Sequence, residues 1–191
     1  MSYSTRRRAG RMALVGLCTL VLACEQRAYK TQHGRSDAVS SASQEMSGPS
    51  LFSRERLSPA LDAVRAKAGG KLLRLEIHAR ELTLQAEDAS SPGTVLELHY
   101  QAGKVSEPEH ATLRGKGQLA DNVFDLDEVK LDAIPALTRE AVRRIDAEAG
   151  SVDYVLVRRN LPDTDDVRLR VYVSSPRQSG YVEADRSGQI L

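Results

Sequence analysis

The chain of 191 residues carries 27 Lys+Arg against 26 Asp+Glu, with 4 His, 2 Cys, 6 Tyr, 2 Phe and no Trp. At 41% hydrophobic and 28% charged it is neither a disordered polyelectrolyte nor a multispan membrane protein, and its length suits one ordinary domain or two small ones. The near-zero net charge argues against a basic surface for nucleic acid, and so few aromatics leave little for base stacking or carbohydrate platforms.

Arg6, Arg7, Arg8 and Arg11 form a positive segment ahead of an uncharged run, Met12 to Ala23. Twelve helical residues cover about 18 Å, short of a hydrocarbon core of about 30 Å, so the run suits an export signal rather than a spanning helix. It ends in Val21-Leu22-Ala23-Cys24, which resembles the lipobox of bacterial lipoproteins. That resemblance implies a diacylglycerol on the Cys24 sulfur, cleavage between Ala23 and Cys24, and acylation of the new amine. The resulting acyl chains would anchor the protein in a membrane, at about 0.8 kcal/mol per buried CH₂. Cys18 would leave with residues 1–23 and Cys24 would carry lipid, so no thiol remains for a disulfide. Without those residues the chain holds 23 basic and 26 acidic residues, net −3. Glu25 follows the cysteine in place of the Asp associated with inner-membrane retention, which favours the outer membrane.

Residues 24–50 comprise the lipidated cysteine and a stretch rich in Ser, Gln, Ala, Gly, Arg and Lys with no apolar period. Such a segment reads as a flexible tether of about 28 Å, with Tyr29 and His33 playing no specific part. Beyond it, Ser58 reads as an N-cap with Pro59 in the first helical position, and Leu57, Leu61, Val64 and Ala68 form one helical face stopped by Gly69-Gly70. The period then changes to two. Leu73, Leu75 and Ile77 alternate with Arg74, Glu76 and His78, followed by Leu82, Leu84 and Ala86, and then by Leu96, Leu98 and Tyr100. Pro135 opens a second helix striped by Leu137, Ala141, Val142, Ile145 and Ala149 and closed by Gly150. Val167, Leu169, Val171 and Val173 alternate with Arg168, Arg170 and Tyr172. Turn residues at 91–93, 101–103, 162–165 and 185–188 separate the strands.

The globular part reads as written twice. Phe52, Pro59-Ala60-Leu61, Ala63-Val64-Arg65, Ala68-Gly69 and Gly103 recur in order as Phe124, Pro135-Ala136-Leu137, Ala141-Val142-Arg143, Ala149-Gly150 and Gly188. The fold class is therefore α+β, with two tandem repeats, 51–114 and 115–191, each one helix on an antiparallel meander. This unit resembles the PepSY-like and β-lactamase-inhibitor-protein-like folds, chiefly through the ending Tyr181-Val182-Glu183-Ala184-Asp185-Arg186-Ser187-Gly188-Gln189-Ile190-Leu191. His99-Tyr100-Gln101-Ala102-Gly103-Lys104-Val105 is a weaker echo. The resemblance implies a non-enzymatic periplasmic module that binds or inhibits proteins, and it transfers no catalytic residue.

Candidate chemistry is sparse. Ser90-Ser91 and Ser174-Ser175 lie beside prolines and read as turn residues, with no nucleophile elbow. His78 and His99 point to the polar face of strands taken as neighbours, with Glu76 or Glu97 as further donors, but exposed histidines are ordinarily solvated, and no metal is assigned. Asp163, Asp165 and Asp166 lack the Gly and distal Glu of a calcium loop and read as a hairpin turn. Asp125, Asp127, Glu128 and Asp132 read as an acidic edge strand, and Gly115-Lys116-Gly117 lacks phosphate-loop spacing. The patch that points to function is Arg168, Arg170 and Tyr172 on one strand face, with Arg158 and Arg159 on the strand before, residue types enriched at interface centres.

The expectation is an outer-membrane lipoprotein facing the periplasm that binds a protein partner as inhibitor or scaffold, without catalysis, cofactor or nucleic acid. An immunity lipoprotein neutralising a toxin is the alternative. A hydrolase using loop carboxylates, or a carrier of apolar ligands between helix and sheet, are further readings.

Overall fold

The computed structural model describes residues 49–113 and 117–191. The signal segment, Cys24 and the tether up to 48 lie outside the described residues, as do 114–116, which include Gly115 and Lys116 of the Gly115-Lys116-Gly117 stretch. Among the described residues no helix is long and apolar enough to cross a membrane.

Helix α1 spans Arg54–Ala68 and buries Leu57, Ala60, Val64 and Ala68. It opens at Arg54 rather than at Pro59. Ser53 takes the extended cap conformation, and its carbonyl accepts the N–H groups of Arg56 at 3.3 Å and Leu57 at 2.9 Å. Pro59 therefore lies inside the helix, where its ring removes a bond to the carbonyl of exposed Glu55. Gly69 at φ 66° ends the helix in the left-handed conformation, as its position suggests.

Strands β1 (Leu72–Ile77), β2 (Glu81–Glu87) and β3 (Val95–Gln101) follow as a meander, and the two-residue strands β4 (Lys104–Val105) and β5 (Glu109–His110) lie along β3. A single turn, α2 (Leu119–Asn122), leads to two 3-10 turns, Leu126–Glu128 and Leu131–Ala133, and then to α3 (Ile134–Asp146). Strands β6 (Ser151–Arg159), β7 (Val167–Ser174) and β8 (Ser179–Asp185) complete a second meander.

All eight strands form one antiparallel sheet in the order β4-β3-β2-β1-β6-β7-β8, with β5 also on β3. Its middle is the pairing of β1 with β6, where Leu75, Glu76 and Ile77 oppose Val157, Leu156 and Val155. The fold is thus α+β, and the stretches 51–114 and 115–191 share a continuous sheet.

Both helices cover the same face. Leu75, Ile77, Leu82, Leu84 and Leu98 from one half join Val155, Val157, Leu169 and Val171 from the other in a single core with Ala60, Val64, Ile134, Leu137 and Ala141. A bulge between Leu72 and Arg74 turns Leu72 inward, where the simple alternation had placed Leu73. Phe124 is fully buried and exchanges both backbone bonds with Leu72 at 2.8 Å.

The segment from 125 to 132 is not the acidic strand its alternation suggests. Its 3-10 turns set Leu126 beside Val129 and Leu131 beside Ile134 at i, i+3, so the same apolar residues are buried without a sheet ladder. The acids face solvent and basic partners: Asp127 meets Arg65 at 3.0 Å and Asp132 meets Arg54 at 3.6 Å.

At the end of β8 the Asp185 carboxylate accepts the N–H of Ser187 at 2.8 Å, its hydroxyl at 2.7 Å and the N–H of Gln189 at 3.0 Å. Gly188, at φ 83°, completes the turn and sends 189–191 back along β8. There Asp185 N–H donates to Gln189 at 2.9 Å and Leu191 N–H to Glu183 at 3.0 Å.

Candidate functional site

Among the described residues the helices leave the other face of the sheet open, and register decides what it presents. In an antiparallel pair, directly opposite residues hold their side chains side by side on one face. Tyr154 on β6, Tyr172 on β7 and Tyr181 on β8 are directly opposite one another. Their rings form a ladder: Tyr154 and Tyr172 stack at 4.4 Å between centroids, and Tyr172 and Tyr181 tilt at 5.6 Å. His78, just past β1, extends it with its ring 5.4 Å from Tyr154. Burial, then the neighbouring Tyr172 and Glu76, raise the Tyr154 phenol above its usual pKa. Tyr181 at the outer end is 54% exposed.

The next row along the face is Glu76, Leu156, Arg170 and Glu183 on β1, β6, β7 and β8. Arg170 donates from Nε to Glu183 at 2.6 Å and from its terminal nitrogen to Asn160 at 2.6 Å, and its guanidinium lies 5.5 Å from the Tyr181 ring. The Glu183 bond pushes the Arg170 pKa up further. The third row holds Arg158, Arg168 and Asp185. Arg168 bonds Asp166 at 3.0 Å and lies 3.7 Å from Glu183, while Arg158 is exposed and its side chain makes no ion pair or hydrogen bond among the described residues.

Four of the five patch residues therefore sit on this face: Arg158, Arg168, Arg170 and Tyr172. Arg159 does not. Alternation sends it to the far side, where Nε donates to the Val123 carbonyl at 2.9 Å and its terminal nitrogen meets Asp165 at 3.0 Å. The arginine heads on β7 are not loose either: Arg168 and Arg170 side chains are 15% and 19% exposed, each held by carboxylates.

No family model and no curated protein matches the chain. Among solved structures, the crystal structure of a "putative lipoprotein" from Clostridium difficile 630 is similar, with a TM-score of 0.49 and 12% identity over 75% of this chain and 97% of that one.

The remaining candidates separate. His78 and His99 are not on neighbouring strands, because β2 runs between β1 and β3. His78 pairs with Glu76 at 2.8 Å and His99 with Glu97 at 3.1 Å and Thr83 at 3.2 Å. No cluster of metal-ligating side chains occurs among the described residues. Asp165 and Asp166 turn to Arg159 and Arg168, and Asp163 gives its N–H to Asn160 in the β6–β7 turn. Ser90 donates to Asp88 at 2.7 Å, and Ser175 donates to the Gln178 carbonyl at 3.1 Å, both within turns. On the helical side a hollow of about 280 Å³ lies between α1 and the 3-10 turns, floored by Leu57, Leu61, Leu126 and Leu131.

No local signal in the sequence links Tyr154, Tyr181 and His78 to Tyr172. Period-two reading of 151–159 would have put Tyr154 outward, but only the register aligns rings from three separate strands.

Proposed function

We propose that this chain is a bacterial lipoprotein, anchored through acylated Cys24, whose open sheet face binds another protein of the cell envelope without catalysing a reaction. The observation that carries the binding reading is the ladder Tyr154–Tyr172–Tyr181 with Arg170 against its outer ring. Tyrosine and arginine supply much of the energy at protein interfaces. Holding the arginines with Glu183, Asn160 and Asp166 orders them before contact, which lowers the entropy lost on docking.

The anchor rests on the arginines at 6–8 and 11, the run to Ala23 and the Val21–Cys24 motif. Glu25 supports an outer-membrane destination facing the periplasm. The order helix then meander, met twice, supports duplicated repeats over 51–114 and 115–191. Inhibition of an envelope enzyme and scaffolding of an envelope assembly both suit such a face.

The test places a photo-crosslinking residue at Arg158 or Tyr181 in the full chain in native membranes, with Arg143 on α3 as the control position. One dominant envelope protein captured from the first two positions and absent from the third is expected. Equal capture from all three, or none from any, would reject the sheet-face reading. Labelling with an alkyne fatty acid, lost in Cys24→Ser, checks the anchor.

A further inference from the structure

The two edges of the sheet are built differently. At one end stand β4 and β5, two residues each, with Lys104, Glu109, His110 and the intervening Pro108, the features that blunt an edge against pairing. At the other end stands β8, seven residues long. Among the described residues, its outer side is covered only at the far end, through Gln189 and Leu191 on Asp185 and Glu183.

Backbone alternation gives the rest. Asp185 N–H and Glu183 C=O point outward to that return segment, so the N–H and C=O of Tyr181 and Ser179, at the same parity, also point outward. No hydrogen bond from another described residue meets them. The stretch Ser179-Gly180-Tyr181-Val182 carries no charge, and Tyr181 is the exposed end of the aromatic ladder.

We infer that the edge of β8 from Ser179 to Val182 takes an extended segment of the partner protein as an additional antiparallel strand, in line with residues 189–191, with an aromatic side chain against Tyr181. This deepens the protein-binding reading above and rests on it. The occupant is a polypeptide because alternating outward donors and acceptors are matched by a peptide backbone. Its aromatic residue follows from the register: a side chain opposite Tyr181 stands about 5 Å away, the spacing at which the ladder already repeats. The return segment 189–191 uses this mode of pairing on the same strand.

Ser179→Pro removes an outward N–H and no bond to β7, and Ser179→Lys serves as a second variant should proline disturb the preceding turn. With the crosslinker at Arg158 in the full membrane-bound chain, either variant should reduce capture about tenfold relative to Ser179→Ala, at unchanged Tm. Undiminished capture would overturn strand addition and leave face binding standing, whereas no capture even with Ser179→Ala would remove the binding reading itself. In parallel, hydrogen exchange over 177–183 is followed in the full lipidated chain with a pool of heptapeptides, Phe or Tyr at the centre and Ser, Thr or Val elsewhere. Protection that disappears with Ser179→Pro and with peptides N-methylated at alternate residues is expected. No protection, protection elsewhere, or concentration-dependent protection without peptide would each overturn it, the last by showing a second copy of the chain at the edge.

Discussion

Arg177 grips Asp146: its Nε donates to one carboxylate oxygen at 2.9 Å, a terminal nitrogen donates to the other, and a further N–H reaches Glu148 at 2.9 Å. The β7–β8 turn is thereby tied to the last residue of α3. An aspartate at a helix C-terminus opposes the helix dipole, and this one, with its side chain only 2% exposed, depends on the arginine for neutralisation. Arg177 is 56% exposed and can be rehydrated. Arg177→Ala should lower Tm by several degrees, and more than Asp146→Asn, which keeps an acceptor for the N–H groups of Glu148 and Ala149. Thermal unfolding of the two single variants and the double variant checks this, and the reverse order would refute it.

Acid should weaken the fold through the same carboxylate. Arg177 holds the Asp146 carboxyl well below its ordinary range although burial opposes it, and Arg143 with Arg144 lowers Glu140 to about 2. Both folded-state values lie below the unfolded ones, so their contribution is complete above the ordinary carboxylate range and fades as pH falls through it towards 2. The Tm difference between wild type and Asp146→Asn should shrink from about pH 5 to about pH 2. A difference constant across that window would exclude the linkage.

Two glycines with left-handed backbone separate strain from crowding. At Gly69, φ 66°, an added Cβ meets nothing within 4 Å, whereas at Gly188, φ 83°, it would come within 2.5 Å of the Ala133 Cβ. Gly69→Ala should cost about 1 kcal/mol from conformation alone. Gly188→Ala adds a clash with the start of α3 and should cost about 2–4 kcal/mol. Urea unfolding measures both, and equal losses would mean that the turn at 188 can shift away from α3.

In the tyrosine ladder, position matters. Tyr172 contacts a ring on either side, while Tyr181 contacts one ring and is 54% exposed. Tyr172→Ala should destabilise by about 1–3 kcal/mol, and Tyr181→Ala by less than about 1 kcal/mol. A double-mutant cycle on Tyr154 and Tyr172 should return a coupling of about 0.5–1.5 kcal/mol, and zero coupling would mean that the stacked rings contribute only area.

Legibility in the sequence followed how local each cause was. Leu82, Leu84 and Ala86, and Val167 through Val173 at alternate positions, are buried as their alternation implies. Pro135 lies in the first turn of α3 as it should. Pro59 misled because α1 begins with Arg54, Glu55 and Arg56, which have no apolar signature. Leu57 docking, and Leu51 bonded to the Ala79 carbonyl at 2.8 Å, hold that turn in place. Residues 124–131 alternate like a strand, yet i, i+3 turns bury the same side chains. The open face was half legible: Arg168, Arg170 and Tyr172 share a strand, but Glu76, Tyr154, Tyr181 and Glu183 join them only through strand register.

The seam between β1 and β6 makes the two halves of the chain interdependent during folding. With β2 on one side, β1 offers its other side, including Leu75 and Ile77, to nothing in the first half, and β6 offers Val155 and Val157 in the same way. Either half alone would carry a central strand as its edge, six residues long in β1 and nine in β6, without the proline and short length that protect β4 and β5. Such a fragment would recruit a second copy of itself or precipitate. As the chain emerges from its N-terminus, the first helix and meander remain adhesive until 155–157 arrive to seal them, so these three residues decide when the molecule becomes safe from self-association.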